Sequence, residues 1–244
     1  MKTRKLTIVL SLAFAIIFFV SCNETINNIE DAPEGLNTEK SVHEVTPACD
    51  SCTFSGTLTE AEIAGLLEMR EEEKLARDVY IQLYEIHNHV VFNNISKAEN
   101  VHMSAVLHLM NGYGLEDPAL PDEGDYSNPL FTNLYKQLTE QGARDLIAAL
   151  KVGAFIEEYD IADLKKLIDE TDNSDIKQVY GNLLRGSEFH LRAFSYSLKQ
   201  QGATYEPTII SEEEYQEILN SSNDSETEDI ISTVGDFDGT GPNA

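Results

Sequence analysis

The chain has 244 residues, of which 41% are hydrophobic and 25% charged, enough for one sizeable domain with tails. Its formal net charge is −26, from 17 basic and 43 acidic residues. Because such an acidic surface repels phosphate backbones and anionic lipid headgroups, we expect no nucleic-acid partner and no lipid contact by the folded part.

The N-terminus has the pattern of a secretory signal. Three basic residues precede an apolar run over 6–20, which at about 15 residues is shorter than the roughly 20 needed to span a membrane. The motif "FVSC" resembles the lipobox of bacterial lipoproteins, in which the cysteine is acylated and becomes the new N-terminus. We expect 1–21 to be a lipoprotein signal peptide and Cys22 to anchor the chain at the bacterial cell envelope. The alternative is cleavage without lipidation.

Residues 22–57 are rich in Asn, Glu, Thr, Pro and Gly and show no apolar period, which predicts a flexible tether. Cys49 and Cys52 form "CDSC" within it. No histidine follows, so covalent haem attachment is excluded, and one pair is only half of a four-cysteine metal site. In an oxidising compartment we expect a small disulfide ring, with a redox role as the alternative.

A capping box of Thr59 and Glu62 predicts the start of the first long helix, which runs to about Ile86. His87 and His89 follow it and are interpreted as C-terminal caps. The second long helix is predicted from about residue 94 to residue 110, and a loop rich in Pro and Gly over 112–129 comes next.

A short helix is predicted over 130–142, and two further long helices over about 143–169 and 173–201. Ser211 and Glu214 are predicted to cap a last short helix, and the acidic end, 219–244, is expected to be disordered. Four long helices with one long crossover between the second and third predict an all-α, ferritin-like four-helix bundle over 58–218.

The second long helix carries two polar residues on its apolar stripe. Glu99 and His102 share a face with Ile95, Val106 and Leu109 because steps of three and four return to the same side of a helix. Two readings remain open. In one, Glu99 and His102 both bind a metal. In the other, a capping box formed with Ser96 places Glu99 in the first turn without a metal, and His102 is a core histidine.

The other long helices also carry ligand-type side chains on or beside their apolar faces: Glu73 and Glu72 on the first, Glu157 and Asp160 on the third, and Ser187 and His190 on the fourth. Glu71 is expected to point outward, and Tyr80 to be a core residue. Burying several unpaired carboxylates is costly, and divalent cations remove that cost. Carboxylates and imidazoles without thiolate favour iron or manganese, with zinc as a substitute.

Four motifs carry a family resemblance: "EKLARDVY" (73–80), "AENVH" (98–102), "GAFIEEYDIADL" (153–164) and "GSEFHLRAF" (186–194). They resemble the ferritin-like family catalogued as domain of unknown function 2202, over the whole predicted domain. The pattern E-x-x-A-x-x-x-Y in the first motif is also similar to the first ligand helix of rubrerythrins.

By this resemblance the metal ligands are Glu73, Glu99, His102, Glu157 and His190, with Glu72 as the alternative to Glu73 in a shifted register. The chain departs from the di-iron pattern at Ser187, which stands where the glutamate of the second Glu-x-x-His motif would be. Asp160 lies three residues after Glu157. A single metal, and two metals with a shell completed by Asp160 or water, are both consistent with this set.

The sequence therefore predicts an envelope-anchored metal-binding protein. Its iron or manganese site would reduce dioxygen or peroxide, or oxidise ferrous iron. The alternatives are a helical module that binds metal without turnover and a metal-free interaction protein with a polar core. Homo-oligomerisation is left open.

Overall fold

The computed structural model describes Phe54 and residues 56–221, and within them the regular structure is entirely α-helical. The helices are α1 Glu60–His87, α2 Val90–Gly112, α3 Pro129–Gly142, α4 Leu146–Glu170, α5 Ser174–Gln200 and α6 Glu212–Asn220. The predicted all-α class is confirmed for this part of the chain. The predicted signal peptide, Cys22, Cys49 and Cys52 lie outside the described residues.

Side-chain caps fix the starts of several helices. The Thr59 hydroxyl accepts from the Glu62 backbone N–H at 3.2 Å, and the Thr59 N–H donates to the Glu62 carboxylate at 2.8 Å. Ser211 likewise accepts from the Glu214 N–H at 3.1 Å. Both predicted caps are therefore confirmed, and each such cap contributes about 1 kcal/mol to stability.

The start of α2 was predicted wrongly. The helix begins at Val90, because Val91 and Phe92 are fully buried and their packing outweighs a modest intrinsic helix propensity. Ser96 therefore lies inside the helix, where its hydroxyl donates to the Asn93 carbonyl at 3.1 Å. The alternative capping box of Ser96 and Glu99 is wrong.

The interpretation of the two histidines after α1 also needs correction. Asn88, in the left-handed region with φ 49°, is the C-cap of α1. His89 is the N-cap residue of α2, and only His87 lies in the last turn of α1. The His87 Nε2 atom is 2.8 Å from the Gly142 carbonyl oxygen, so this ring joins α1 to the end of α3.

Contacts between the four long helices establish their directions. The start of α1 meets the end of α4, where Thr171 donates to Glu62, and α4 meets α5 where Ser187 contacts Asp160. Helix α2 packs against both α1 and α5. Because each of these neighbouring pairs is antiparallel, α2 and α4 run parallel, and the connection between them must travel the length of the helices. Residues 113–145, including α3, form that crossover.

Apolar side chains form two clusters along these helices within the described residues. One contains Leu66, Met69, Val106, Leu109, Leu164 and Leu183. The other contains Val79, Phe92, Ile95, Leu150, Leu191 and Phe194. On α1, α2 and α5, the glutamates and histidines predicted as ligands lie between residues of the two clusters along the chain; on α4, Glu157 and Asp160 lie between Ile156 and Ile161 of the second cluster. These polar side chains form a polar layer across the middle of the four helices. No helix in the described part combines the length and apolarity needed to cross a bilayer.

The outer face of α1 holds the crossover in place. Arg70 forms an ion pair with Asp117 at 2.8 Å. Glu71, predicted to point outward, is instead buried, and its carboxylate accepts from the Ser127 N–H at 2.6 Å and from the Asn128 N–H. The prediction for Glu71 was wrong because the crossover folds back over that face.

A buried ionic network continues this attachment one turn further along. The Asp78 Oδ2 atom lies 2.6 Å from Lys74 Nζ and accepts from the Gly124 N–H and the Tyr126 hydroxyl, each at 3.0 Å. Arg77 contacts the other oxygen at 2.5 Å. Since Lys74 and Asp78 are almost fully buried, each charge depends on the other for compensation.

We therefore predict that Asp78→Asn destabilises the protein by about 3 kcal/mol, because it leaves the Lys74 ammonium buried without its counter-charge. Urea unfolding followed by circular dichroism measures the change. Asp172→Asn is the matched control: its carboxylate is fully exposed beside Lys177, so it should shift stability by less than about 0.5 kcal/mol. Equal effects of the two substitutions would contradict the role given to Asp78.

Candidate metal centre

Three side chains from two helices form the middle of the polar layer. The Glu99 Oε2 atom lies 2.8 Å from His102 Nδ1, and Glu99 Oε1 lies 2.9 Å from His190 Nδ1. One ligand-type atom from each of these residues falls within 4.8 Å of the other two. Glu99 and His102 belong to α2 and His190 to α5, so the packing of these two helices assembles the group.

Two more carboxylates approach the same histidine atoms from the remaining long helices. Glu73 on α1 places Oε2 3.2 Å from His102 Nδ1, and Glu157 on α4 places Oε2 3.4 Å from His190 Nδ1. Each imidazole nitrogen thus faces two carboxylates, and Glu99 is shared between both. All three glutamates are at least 97% buried. The structure therefore brings together the five residues that the resemblance implies.

Neighbouring residues fix the orientation of this group. A Cβ atom on Gly186 would lie 2.5 Å from His102 Nε2, so glycine on α5 leaves the space that the ring occupies. The Tyr80 hydroxyl donates to Glu157 Oε1 at 2.5 Å. Tyr80 is in the core, as predicted, but its hydrogen bond to the site was missed. Its position seven residues after Glu73, on the same helix face, was the available signal.

Asp160 belongs to the edge of this centre. The Ser187 hydroxyl donates to Asp160 Oδ2 and so orients the carboxylate. Its other oxygen, Oδ1, is buried and has no hydrogen-bond partner among the described residues. Where the di-iron pattern would have a glutamate on α5, this chain has a serine that positions an aspartate on α4.

Glu72, the alternative to Glu73, points to a different place. It is 3% exposed, and neither of its oxygens has a hydrogen-bond partner within the described part of the chain. Burial raises its pKa well above the usual value, and the charges of Asp160 and Asp163 raise it further. Glu73, rather than Glu72, is the residue that contacts His102.

The electrostatics of the centre depend on positive charge from the imidazoles. Burial alone would lower the pKa of His190, but Glu99 and Glu157 outweigh it and raise the pKa to about 10. Glu73 and Glu99 likewise raise the pKa of His102 against the effect of burial. Two protonated imidazoles therefore partly neutralise the buried acids.

The pKa values of the buried acids are shifted in different directions. Although burial opposes it, the two histidines lower the pKa of Glu99. Burial raises the pKa of Glu73, and it raises that of Asp160 to about 7 despite the hydrogen bond from Ser187. A divalent cation replacing the imidazole protons would supply the same positive charge to all of these groups.

These observations define an all-α protein with a buried glutamate–histidine group of a composition that could bind a metal ion. Residues 62–222 match the family described as "Uncharacterized protein domain (DUF2202)". The chain belongs to this family.

The chain is also similar to a protein from Methanocaldococcus jannaschii, in sequence and in structure. Its "Uncharacterized protein MJ0754" is 52% identical over 166 residues, which cover 68% of this chain and 90% of that protein. The crystal structure of the hypothetical protein MJ0754 superposes with a TM-score of 0.68 at 51% identity, covering 69% of this chain and 97% of that one.

The raised pKa of His190 predicts how the metal-free protein responds to pH. Folding retains a proton on His190 that the unfolded chain releases above about pH 6.5. Its stabilising contribution is therefore complete below pH 6.5 and is lost as the pH rises towards 10. Asp160 acts in the same direction at lower pH: its pKa is raised from 3.8 to about 7, so its contribution is complete below pH 3.8 and lost as the pH rises to about 7.

We expect the melting temperature of the metal-free chain, measured by calorimetry, to fall steadily between pH 6.5 and pH 10. His108→Gln removes an exposed histidine of α2 and should leave that slope unchanged. A melting temperature that stays constant or rises over this range would contradict the assigned protonation.

Proposed function

We propose that this protein is a ferritin-like metal-binding protein whose centre binds iron or manganese, with zinc as a substitute. The residues that would hold the metal are Glu73, Glu99, His102, Glu157 and His190, with Asp160 at the edge. The observation that carries the proposal is the meeting of three buried glutamates with two histidine Nδ1 atoms, at 2.8 to 3.4 Å, from all four long helices.

The donor atoms fit a metal better than they fit one another. His190 Nδ1 and Glu99 Oε1 are close, yet they are not aligned for a hydrogen bond, and Glu73 Oε1 has no partner among the described residues. Buried polar atoms without partners cost stability, and a cation placed among them removes that cost. Carboxylate and imidazole donors without thiolate suit iron and manganese.

The antiparallel neighbours and the long crossover between α2 and α4 support the ferritin-like assignment of the fold, since one such crossover is characteristic of that class of bundle. Apolar side chains of both clusters pack along the same helices as the centre, and its three glutamates are buried. Tyr80 would hold Glu157 in position through its hydroxyl, and Gly186 would leave room for His102.

With iron or manganese bound, the centre would supply the redox chemistry for reaction with dioxygen, peroxide or ferrous iron. The cell envelope is the proposed location of this activity, through the expected lipid anchor at Cys22. A binding module without turnover is the alternative. A change in the absorption spectrum of the iron-loaded protein when dioxygen or peroxide is added would distinguish the enzyme from that module.

We predict that Glu99→Gln, Glu157→Gln and His102→Ala each reduce bound metal sharply, because each removes a donor that the centre requires. Elemental analysis after reconstitution with iron or manganese and desalting measures the content. Glu85→Gln is the matched control, an exposed glutamate on α1 whose replacement should change nothing. The proposal fails if Glu99→Gln and Glu157→Gln both keep full occupancy, or if the parent retains neither metal.

A further inference from the structure

Glu72 is buried without any group that explains its presence. Its two oxygens have no hydrogen-bond partner in the described part of the chain, and its side chain is almost inaccessible to solvent. A buried carboxyl group without a partner costs several kcal/mol in any protonation state. Neither histidine of the centre contacts it at hydrogen-bond distance, so it is not accounted for by the site already described.

The side chains around Glu72 are acidic and lead to the surface. Glu68 lies one turn before it on α1 and is exposed, and Asp163 lies one turn after Asp160 on α4 and is half-buried. Because α1 and α4 are antiparallel, Glu68 and Asp163 lie towards the same end of the two helices. Burial raises the pKa of Glu72 most, and the charges of Asp160, Asp163 and Glu68 raise it further, in agreement with their positions on the facing sides of α1 and α4.

A small cavity opens at the same end of the helices. Its lining includes Gly65, Leu167, Glu170 and Tyr180, from α1, α4 and α5. Tyr180 is 2% exposed, and its hydroxyl has no partner among the described residues. Glu72 lies two turns after Gly65 on α1, on the same helix face, and so lies further along the bundle than the cavity. After burial, the charge of Glu72 is the largest cause of the raised pKa of Tyr180.

We propose that Glu72 and Asp160 form a transit site through which a divalent cation passes from Glu68 and Asp163 at the surface to the metal centre. This inference rests on the proposed function. Asp160 connects the two sites, because its Oδ1 atom has no partner in the described part of the chain, while Ser187 holds its Oδ2 atom. A site built from carboxylate oxygens alone suits the hard cation Mn²⁺ and binds it less tightly than a site with imidazole.

The transit site makes a kinetic prediction that a ligand of the centre does not make. Metal-free full chain is mixed with Mn²⁺, and uptake is followed by the loss of the free-ion electron paramagnetic resonance signal. Glu72→Gln should slow uptake at least tenfold and leave the final manganese content equal to that of the parent. Glu85→Gln, the exposed control on the same helix, should match the parent in both rate and content.

Each result of this experiment decides a separate point. Uptake by Glu72→Gln at the parent's rate overturns the transit site and leaves the metal centre standing. Loss of final content in Glu72→Gln also overturns it, because Glu72 would then be a ligand of the centre. A parent that binds no manganese overturns the centre and the transit site together.

A second variant keeps the proposal testable if Glu72→Gln does not fold. The double substitution Glu68→Gln with Asp163→Asn alters only exposed and half-buried carboxylates, so the helices should remain intact. It should slow manganese uptake several-fold at unchanged final content. Uptake as fast as that of the parent would overturn the assignment of this acidic face as the access route.

Discussion

Glu99 is shared between His102, on its own helix, and His190 on α5, and this contact joins the two helices at the centre. One carboxylate can face the Nδ1 atoms of both imidazoles because α2 and α5 pack closely together. The centroids of the two imidazole rings are 5.4 Å apart. Glu73 and Glu157 then complete the surroundings from α1 and α4. Because these acids are buried, the fold requires positive charge at this one place, from protons or from a metal.

Buried polar residues far from the centre hold the connecting segments against the four long helices. Parallel α2 and α4 require a long crossover, and the charged residues on the outer face of α1 hold that crossover against the helix. A second carboxylate, Glu158 on α4, accepts from the backbone N–H groups of Thr208, Ile209 and Ile210 and so holds the segment that follows α5. Glu71, Asp78 and Glu158 thus have structural partners, whereas the two oxygens of Glu72 have no hydrogen-bond partner in the described part of the chain.

Local patterns in the sequence predicted much of this arrangement. Capping residues indicated the start of α1, and apolar periodicity placed Glu73, Glu99, Glu157 and the histidines on inward faces. Contacts between distant segments were beyond such patterns. Glu71 was misjudged because residues 127 and 128 return to cover it, and the start of α2 was missed because buried packing extends that helix. Periodicity alone also leaves the destination of Glu72 undetermined, since it lies at the edge of the stripe.

An anomalous diffraction map, collected at the manganese absorption edge from crystals of the protein reconstituted with Mn²⁺, tests the metal centre most directly. We expect a peak bounded by the Glu99 carboxylate, His102 Nδ1 and His190 Nδ1, with Glu73 and Glu157 beside it. Manganese bound elsewhere, with these five side chains still paired among themselves, would contradict this expectation.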